Sequence, residues 1–328
     1  MLYDRILKLK QEISQLSTNP VLNVFNLDEC KLLDDEYTND TFVKEKVDST
    51  LNLLKDLNVD FNPKYKSAYE EYNEGVIYLK IKAKYSNTNR IQETSSSTPD
   101  FHMISSGNYP FDLNIELKSL SFLDGNLNYK NAQESGLEAQ IRTEEQIKDG
   151  KRIAFSETII SPFLKNNKTP TTRELIEIYI DKINNNIKKG QFEERDTILF
   201  VDIKQLLLGS LWNQSAVAFY QEKLTKSIVS GVLWNTAFGT ENNLILKPIE
   251  FEGKNNIDSV LTKNGILLEH DYIKAIVFIT YENFEERKFI GFIRQSDSST
   301  QIMNFISEFC DLYNDDFNTE AWRVLNER

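Results

Sequence analysis

Two acidic residues and one lysine lie on either side of a chain turn that separates two short apolar segments. Asp100 begins the first segment, and Glu116 and Lys118 belong to the second, in which apolar and polar residues alternate. This period of two predicts a strand with Glu116 and Lys118 on one face, where we expect both side chains to meet solvent rather than core. The turn formers between the segments predict a hairpin that brings Asp100 beside them. Two carboxylates and an ammonium group suit a hard divalent cation and an activated water.

An acidic residue two positions before a lysine is common in this chain, but one feature singles out the triplet at Glu116. Pro-Asp occurs only once, at Pro99, and the Glu116 triplet follows it closely after the turn. Together, Pro99-Asp100 and Glu116-Leu117-Lys118 resemble the motif of the PD-(D/E)xK nuclease superfamily, which has the restriction-endonuclease-like fold. The competing triplets have no such strand before them, and they start at Glu29, Asp149, Asp202, Glu252 and Glu286.

The resemblance implies a metal-dependent nuclease that hydrolyses phosphodiester bonds, with DNA as the expected nucleic acid. In that mechanism Asp100, Glu116 and the backbone carbonyl of Leu117 bind Mg²⁺ or Mn²⁺. The metal polarises the phosphate and lowers the pKa of a bound water. Lys118 orients that water or stabilises the developing charge.

Two further groups of residues are predicted to assist this site. Members of the superfamily often carry a glutamate on the helix before the sheet, and its distance from Pro99 favours Glu74 as a metal ligand, with Glu71 second. The alternative is that these glutamates are simply solvated. A small basic cluster after the sheet strands is a candidate phosphate contact, or else a solvated helix end that complements the helix dipole; it consists of Lys148, Lys151 and Arg152.

Length, composition and charge limit the possible classes of protein. A chain of 328 residues with 40% hydrophobic content can bury one large core or two smaller ones. Its net charge of −12 argues against a protein that coats nucleic acid without specificity, and it leaves room for a protein partner that delivers the substrate. Two histidines and two distant cysteines do not indicate zinc chemistry or a disulfide framework. Neither a signal-like start nor an apolar run of membrane length is present, so we expect a cytoplasmic protein without membrane contact.

Periodicity along the chain predicts the secondary structure. Helical spacing covers residues 2–16, 42–57, 64–85, 132–151, 171–189 and 301–312. Strands are expected near 90–94, on both sides of the turn after Asp100, and at 197–203, 244–246, 275–280 and 289–294. The acidic stretch before Asp40 is predicted to be irregular, residues 209–238 to be further helical material, and residues 162–170 to be a hinge loop.

This order favours an α/β fold with a mixed central sheet flanked by helices. The resemblance adds a restriction-endonuclease-like core to that fold. We predict a helical N-terminal region over residues 1–60 and a nuclease-like core over 61–240. Residues 241–328 form a C-terminal α+β extension, either separate or part of the same domain.

Three alternatives to the nuclease stay open. The hairpin face is a solvated polar surface if Glu116 and Lys118 are merely neighbours on a strand. The chain is a catalytically inactive nuclease-fold module if it keeps the fold but acts by binding or regulation through a protein partner. It is an unrelated metal-dependent hydrolase if it binds the metal but does not cut nucleic acid. Cleavage of plasmid and single-stranded substrates that requires Mg²⁺ or Mn²⁺ separates these classes.

Overall fold

The computed structural model divides the chain into two compact units. Unit 1 takes its described residues from 1–79 and 121–164, and unit 2 takes them from 80–120, 165–207 and 211–328. The residues that the structure describes are 1–16, 20–57, 64–92, 97–107, 110–121, 129–156, 171–207, 219–221, 227–246, 257–282, 285–294, 299–315, 322–324 and 326–327.

The described part of unit 1 is helical. An aromatic group lies in its core, where the ring of Phe25 packs 5.7 Å from that of Tyr69 and 5.1 Å from that of Tyr72. The last five residues of its longest helix belong to unit 2. The helices are α1 (Leu2–Leu16), α2 (Leu27–Glu36), α3 (Thr41–Leu54), α4 (Lys64–Lys84) and α5 (Tyr129–Lys148).

Helix α2 corrects the prediction that the stretch before Asp40 is irregular. The side chain of Asn26 accepts hydrogen bonds from the backbone N–H groups of Asp28 and Glu29, which is an N-cap. Cys30 and Leu33 are buried on one side of the helix. The helix is short and acidic. Only the N-cap and a few apolar positions indicate a helix in the sequence, and the acidic composition masks this pattern.

Unit 2 contains a mixed sheet of eight strands in the order β1-β2-β3-β4-β9-β10-β11-β13 within the described residues. Neighbours are antiparallel except for the pairs β3–β4, β4–β9 and β10–β11, which are parallel. These strands are β1 (Asn87–Arg90), β2 (Phe101–Ser105), β3 (Phe111–Ser119), β4 (Thr197–Asp202), β9 (Ala275–Glu282), β10 (Glu286–Ile293), β11 (Leu312–Asp315) and β13 (Asn326–Glu327).

Within its described residues, unit 2 also contains two small sheets, several helices and two 3₁₀ turns. The small sheets contain β5 (Phe219–Gln221), β6 (Ser227–Ser230) and β12 (Trp322–Val324), and separately β7 (Leu244–Leu246) and β8 (Ile257–Val260). The helices are α6 (Thr172–Asn184), α7 (Val232–Phe238), α8 (Ile266–Glu269) and α9 (Thr300–Phe309), and the turns are Lys189–Phe192 and Lys204–Leu207.

Helices cover both faces of the central part of the large sheet. On one face Phe200 of β4 packs against Phe309 of α9, with ring centroids 5.7 Å apart. Gly291 lies on this face, where an added Cβ would stand 2.8 Å from a methyl group of Ile306, so the close approach of α9 requires a glycine. On the opposite face Phe292 of β10 contacts Phe238 of α7 at 5.9 Å. The catalytic candidates therefore lie in a sheet whose interior is fixed by apolar packing.

The α/β class with a mixed sheet is confirmed, and the restriction-endonuclease-like core stays a prediction. Strands β9 and β10 come from the predicted C-terminal extension and lie in the same sheet as β3. The predicted boundaries at residues 60 and 240 stay predictions, and the hinge at 162–170 lies outside the described residues. Residues 209–238 were predicted to be helical, but their described part also forms β5 and β6. None of the described helices is both long and apolar enough to cross a bilayer.

Candidate active site

The chain bends at Asp100, and the bend brings its carboxylate to β3. The Asp100 N–H donates to the carbonyl of Ile115 at 3.0 Å, whereas its own carbonyl accepts from the N–H of Ile91 at 3.0 Å. In a regular strand the N–H and the carbonyl of one residue point to the same neighbouring strand, so the hydrogen-bond pattern of the sheet is interrupted at Asp100. Oδ2 of Asp100 accepts from the N–H of Leu117 at 2.7 Å. The carboxylate therefore lies against the peptide that joins Glu116 to Leu117.

Glu116 is fully buried, which contradicts the expectation that it faces solvent. Its Oε1 forms an ion pair with Nζ of Lys118, the next residue on the same face of β3. The same oxygen accepts from Nε2 of Gln191 at 2.5 Å. The side chain of Lys118 keeps 22% of its surface exposed, so the pair reaches from the interior to solvent. The period of two fixed the shared face correctly, but it does not tell what covers that face.

The two carboxylates and the Leu117 carbonyl form a donor set of the kind that Mg²⁺ and Mn²⁺ prefer. The N–H of Leu117 points toward β2, and the carbonyl of a strand residue points to the same side as its N–H. The Leu117 carbonyl is thus directed to the side of β3 from which Asp100 approaches. Among the described residues, no group of three or more Asp, Glu, His or Cys side chains is placed to hold a metal ion. In this arrangement the side chains of the described residues offer such a metal two carboxylates.

Glu74 lies in unit 1 and is engaged with a buried lysine. Nζ of Lys46 contacts Oε2 of Glu71 at 3.0 Å and also forms an ion pair with Glu74. Burial by itself lowers the pKa of Lys46, but the charges and hydrogen bonds of Glu74 and Glu71 outweigh it and raise that pKa above its usual value. Any metal that takes Glu74 as a ligand must compete with this ammonium group.

The predicted phosphate contacts Lys148, Lys151 and Arg152 lie in unit 1, at and after the end of α5, and all three are exposed. Exposure is compatible both with binding phosphate and with a solvated helix end. Their role as phosphate contacts stays a prediction.

Two competing triplets show what the same motif does elsewhere in unit 2. Asp202 is completely buried and accepts from the hydroxyl of Tyr281 at 2.9 Å and from Arg287 at 3.3 Å. The charge of Asp202 is therefore offset by Arg287 within the core. Glu286 and Lys288 form a surface ion pair of 3.0 Å on β10. A surface pair of this kind contributes little to stability, which makes it a useful control for the Glu116 triplet.

Gln191 is the residue at this site that the sequence did not predict. It lies 75 positions from Glu116, in a 3₁₀ turn just before β4. Its neighbours Lys188, Lys189 and Gly190 indicate the end of a helix, and no local pattern marks the glutamine as functional. Comparison of the chain with protein-family models, with curated proteins and with solved structures finds no match. No relative therefore assigns a role to any of these residues.

Proposed function

We propose that this protein is a metal-dependent nuclease of the PD-(D/E)xK type, with DNA as its substrate and the cytoplasm as its location. One observation carries the proposal. The carboxylate of Asp100 contacts the Glu116–Leu117 peptide, and Glu116 is paired with Lys118 on the same strand. These are the residues that the resemblance selects. Asp100 and Glu116 are 16 positions apart in sequence, and Asp100 contacts the Glu116 triplet rather than one of the competing triplets.

Asp100, Glu116 and the carbonyl of Leu117 are the proposed ligands of Mg²⁺ or Mn²⁺. Their oxygens are hard donors, and they fit such an ion in kind. When bound, the ion supplies a water of lowered pKa and offsets charge on the phosphate. Glu74 is the proposed additional ligand, in exchange for its ion pair with Lys46.

Lys118 is the proposed partner of the attacking water. Its ammonium group is anchored on the buried Glu116, and the Lys118 side chain is partly exposed. A donor held in this way positions a water, or stabilises charge on the phosphate, without having to order a flexible side chain during the reaction. Lys148, Lys151 and Arg152 are the proposed contacts to the phosphate backbone.

Cleavage of supercoiled plasmid and of single-stranded DNA and RNA tests the proposal, with Mg²⁺, Mn²⁺, Ca²⁺ or a chelator. Wild-type protein should cut only with Mg²⁺ or Mn²⁺. Glu116→Gln and Lys118→Met should each lose activity by about 100-fold or more. Glu74→Gln should require about tenfold more metal.

The matched controls are Glu286→Gln and Lys288→Met, which remove an ion pair with the same spacing from an exposed position of the same sheet. Both controls should cut like the wild type. Equal cleavage rates in the Glu116, Lys118 and control variants would contradict the proposal.

A second function is an inactive nuclease-fold module that acts through a protein partner. The pairing of buried Glu116 with Lys118 favours it, because the ammonium group offsets the charge of the carboxylate without a metal ion. Under this alternative the wild type binds DNA or a protein without cutting, and added metal changes nothing. An unrelated metal-dependent hydrolase would instead bind the metal and leave every nucleic acid intact.

A further inference from the structure

The 3₁₀ turn Lys189–Phe192 holds the side chain of Gln191 in a single orientation. The Oε1 atom of Gln191 accepts from the backbone N–H of Lys188 at 2.8 Å. An amide oxygen that is used in this way leaves the NH₂ group as the end that faces Glu116. The contact of 2.5 Å between Nε2 and Oε1 of Glu116 is therefore a donation to the carboxylate. An amide that can only donate favours an ionised acceptor.

The turn is held in place on both sides of Gln191. Phe192 is buried, and its ring packs 5.7 Å from that of Tyr272. Gly190 lies against Ser97, whose carbonyl oxygen is 3.6 Å from where a Cβ on Gly190 would stand. Ser97 precedes Asp100 by three residues, so the turn lies near the segment that leads to Asp100 as well as against Glu116.

We propose that Gln191 is a positioning residue of the metal site. It fixes the direction of the Glu116 carboxylate together with Lys118, which contacts the same oxygen. This inference rests on the proposed nuclease function and adds to it an element outside the two strands. Mutation of a residue that hydrogen-bonds a metal ligand typically lowers metal affinity or activity by about 10- to 100-fold.

The experiment compares Gln191→Met with Gln205→Met in the intact protein. Gln205 is also a buried glutamine, in the 3₁₀ turn that follows β4, and among the described residues neither its side-chain nitrogen nor its oxygen has a hydrogen-bond partner. Both changes remove a buried amide and keep its volume, but only one touches Glu116. The Mn²⁺ concentration for half-maximal DNA cleavage should rise about tenfold or more in Gln191→Met, and so should the dissociation constant of Mn²⁺ measured by calorimetry without DNA. Both quantities should be unchanged in Gln205→Met.

Gln191→Glu keeps the size and shape of the side chain and provides a second readout. Two carboxylates in contact repel one another, which raises the pKa of one of them, so a protonated Glu at this position can donate to Glu116 as the amide does. Activity of Gln191→Glu relative to wild type should therefore be higher at pH 6 than at pH 8. A ratio that does not change with pH would contradict the positioning role.

The outcomes are distinguishable. If wild type cuts with Mn²⁺ but both Gln191 variants match it in metal requirement and pH profile, Gln191 is not a positioning residue and the nuclease proposal stands. If wild type neither cuts nor binds Mn²⁺, the nuclease proposal and the role of Gln191 both fail. A shift in Gln205→Met equal to that in Gln191→Met would also overturn the inference, because burial rather than contact with Glu116 would then explain it.

Discussion

Each unit contains a cluster of lysine and carboxylate groups, and the two clusters have opposite burial. In unit 1 the lysine is inside: Lys46 keeps 7% of its side-chain surface, while Glu71 and Glu74 keep 31% and 29%. In unit 2 the carboxylate is inside: Glu116 keeps none, and Lys118 keeps 22%. The same residue types therefore serve two electrostatic arrangements.

The difference shows which cluster is suited to a cation. The buried ammonium group of Lys46 already satisfies two partly solvated carboxylates, so this cluster has little to gain from a metal. The buried carboxylate of Glu116 has a second carboxylate, Asp100, at the adjoining peptide. Lys118 offsets one of these two negative charges, and a bound metal ion would offset the other. In the proposed nuclease the second cluster therefore supplies the main side-chain ligands, and Glu74 of the first joins them only by giving up its ion pair with Lys46.

The largest expected effect concerns the apolar side of β3. Leu117 is buried next to Glu116, and Leu117→Asp would place an unpaired charge there. We expect a loss of about 4 kcal/mol in the free energy of unfolding, measured by urea denaturation. Leu117→Met, which keeps the volume, should lose less than about 1.5 kcal/mol. Equal stability of the two variants would mean that apolar burial does not anchor this strand.

Removal of Lys46 tests whether the unit 1 cluster is structural. Lys46→Met leaves Glu71 and Glu74 to repel one another, and because both are partly solvated we expect a loss of about 1–3 kcal/mol. Glu71→Gln should lose less, since Glu74 still pairs with the lysine. Urea denaturation measures both variants. A Lys46→Met protein as stable as the wild type would remove the distinction between the two clusters.

Metal binding should stabilise the protein through the unit 2 cluster. At ten times the dissociation constant, Mg²⁺ or Mn²⁺ should raise the free energy of unfolding by about 1.4 kcal/mol. This gain should vanish in Asp100→Asn/Glu116→Gln, which lacks both proposed side-chain ligands. Thermal melts with and without metal measure it, and Ca²⁺ reports general charge screening.

The control for that experiment is Glu144→Gln/Glu145→Gln, which removes the same amount of charge from exposed positions of α5. It should keep the full gain from metal. A gain of equal size in the Asp100/Glu116 variant would show that the metal binds elsewhere, and it would favour the binding module over the nuclease.

The smallest expected effect is the pH dependence of the unit 1 cluster. The folded protein raises the pKa of Lys46 above its usual value of 10.5. A raised pKa of a base stabilises the folded state at every pH below the unfolded value, and this stabilisation is lost as the pH rises through the folded value. The stability difference between wild type and Lys46→Met should thus stay constant from pH 7 to pH 10 and shrink above that range. A difference that shrinks below pH 9 would contradict the raised pKa.

The sequence alone determined most of the local structure. Apolar spacing predicted α1 at its observed bounds, α4 to within one residue, and the β9–β10 hairpin. Alternation along β3 put Glu116 and Lys118 on one face, and the single Pro-Asp selected Asp100 from many acidic residues. These features are local, because each depends only on which residues recur at a fixed spacing. The short helix α2 was missed for the same reason, since ten residues give too few repeats.

Only the tertiary structure decided the burial and the partners of the charged residues. A period of two assigns Glu116 to a face, but the 3₁₀ turn with Gln191, 75 positions away, covers it. Helical spacing marks Glu74 as one of several glutamates, but the packing of α3 on this part of the chain gives it Lys46. Whether a carboxylate is a ligand or a structural ion pair depends on which charges lie within a few ångströms of it. Contacts between distant parts of the chain set those distances, and no spacing within one segment encodes them.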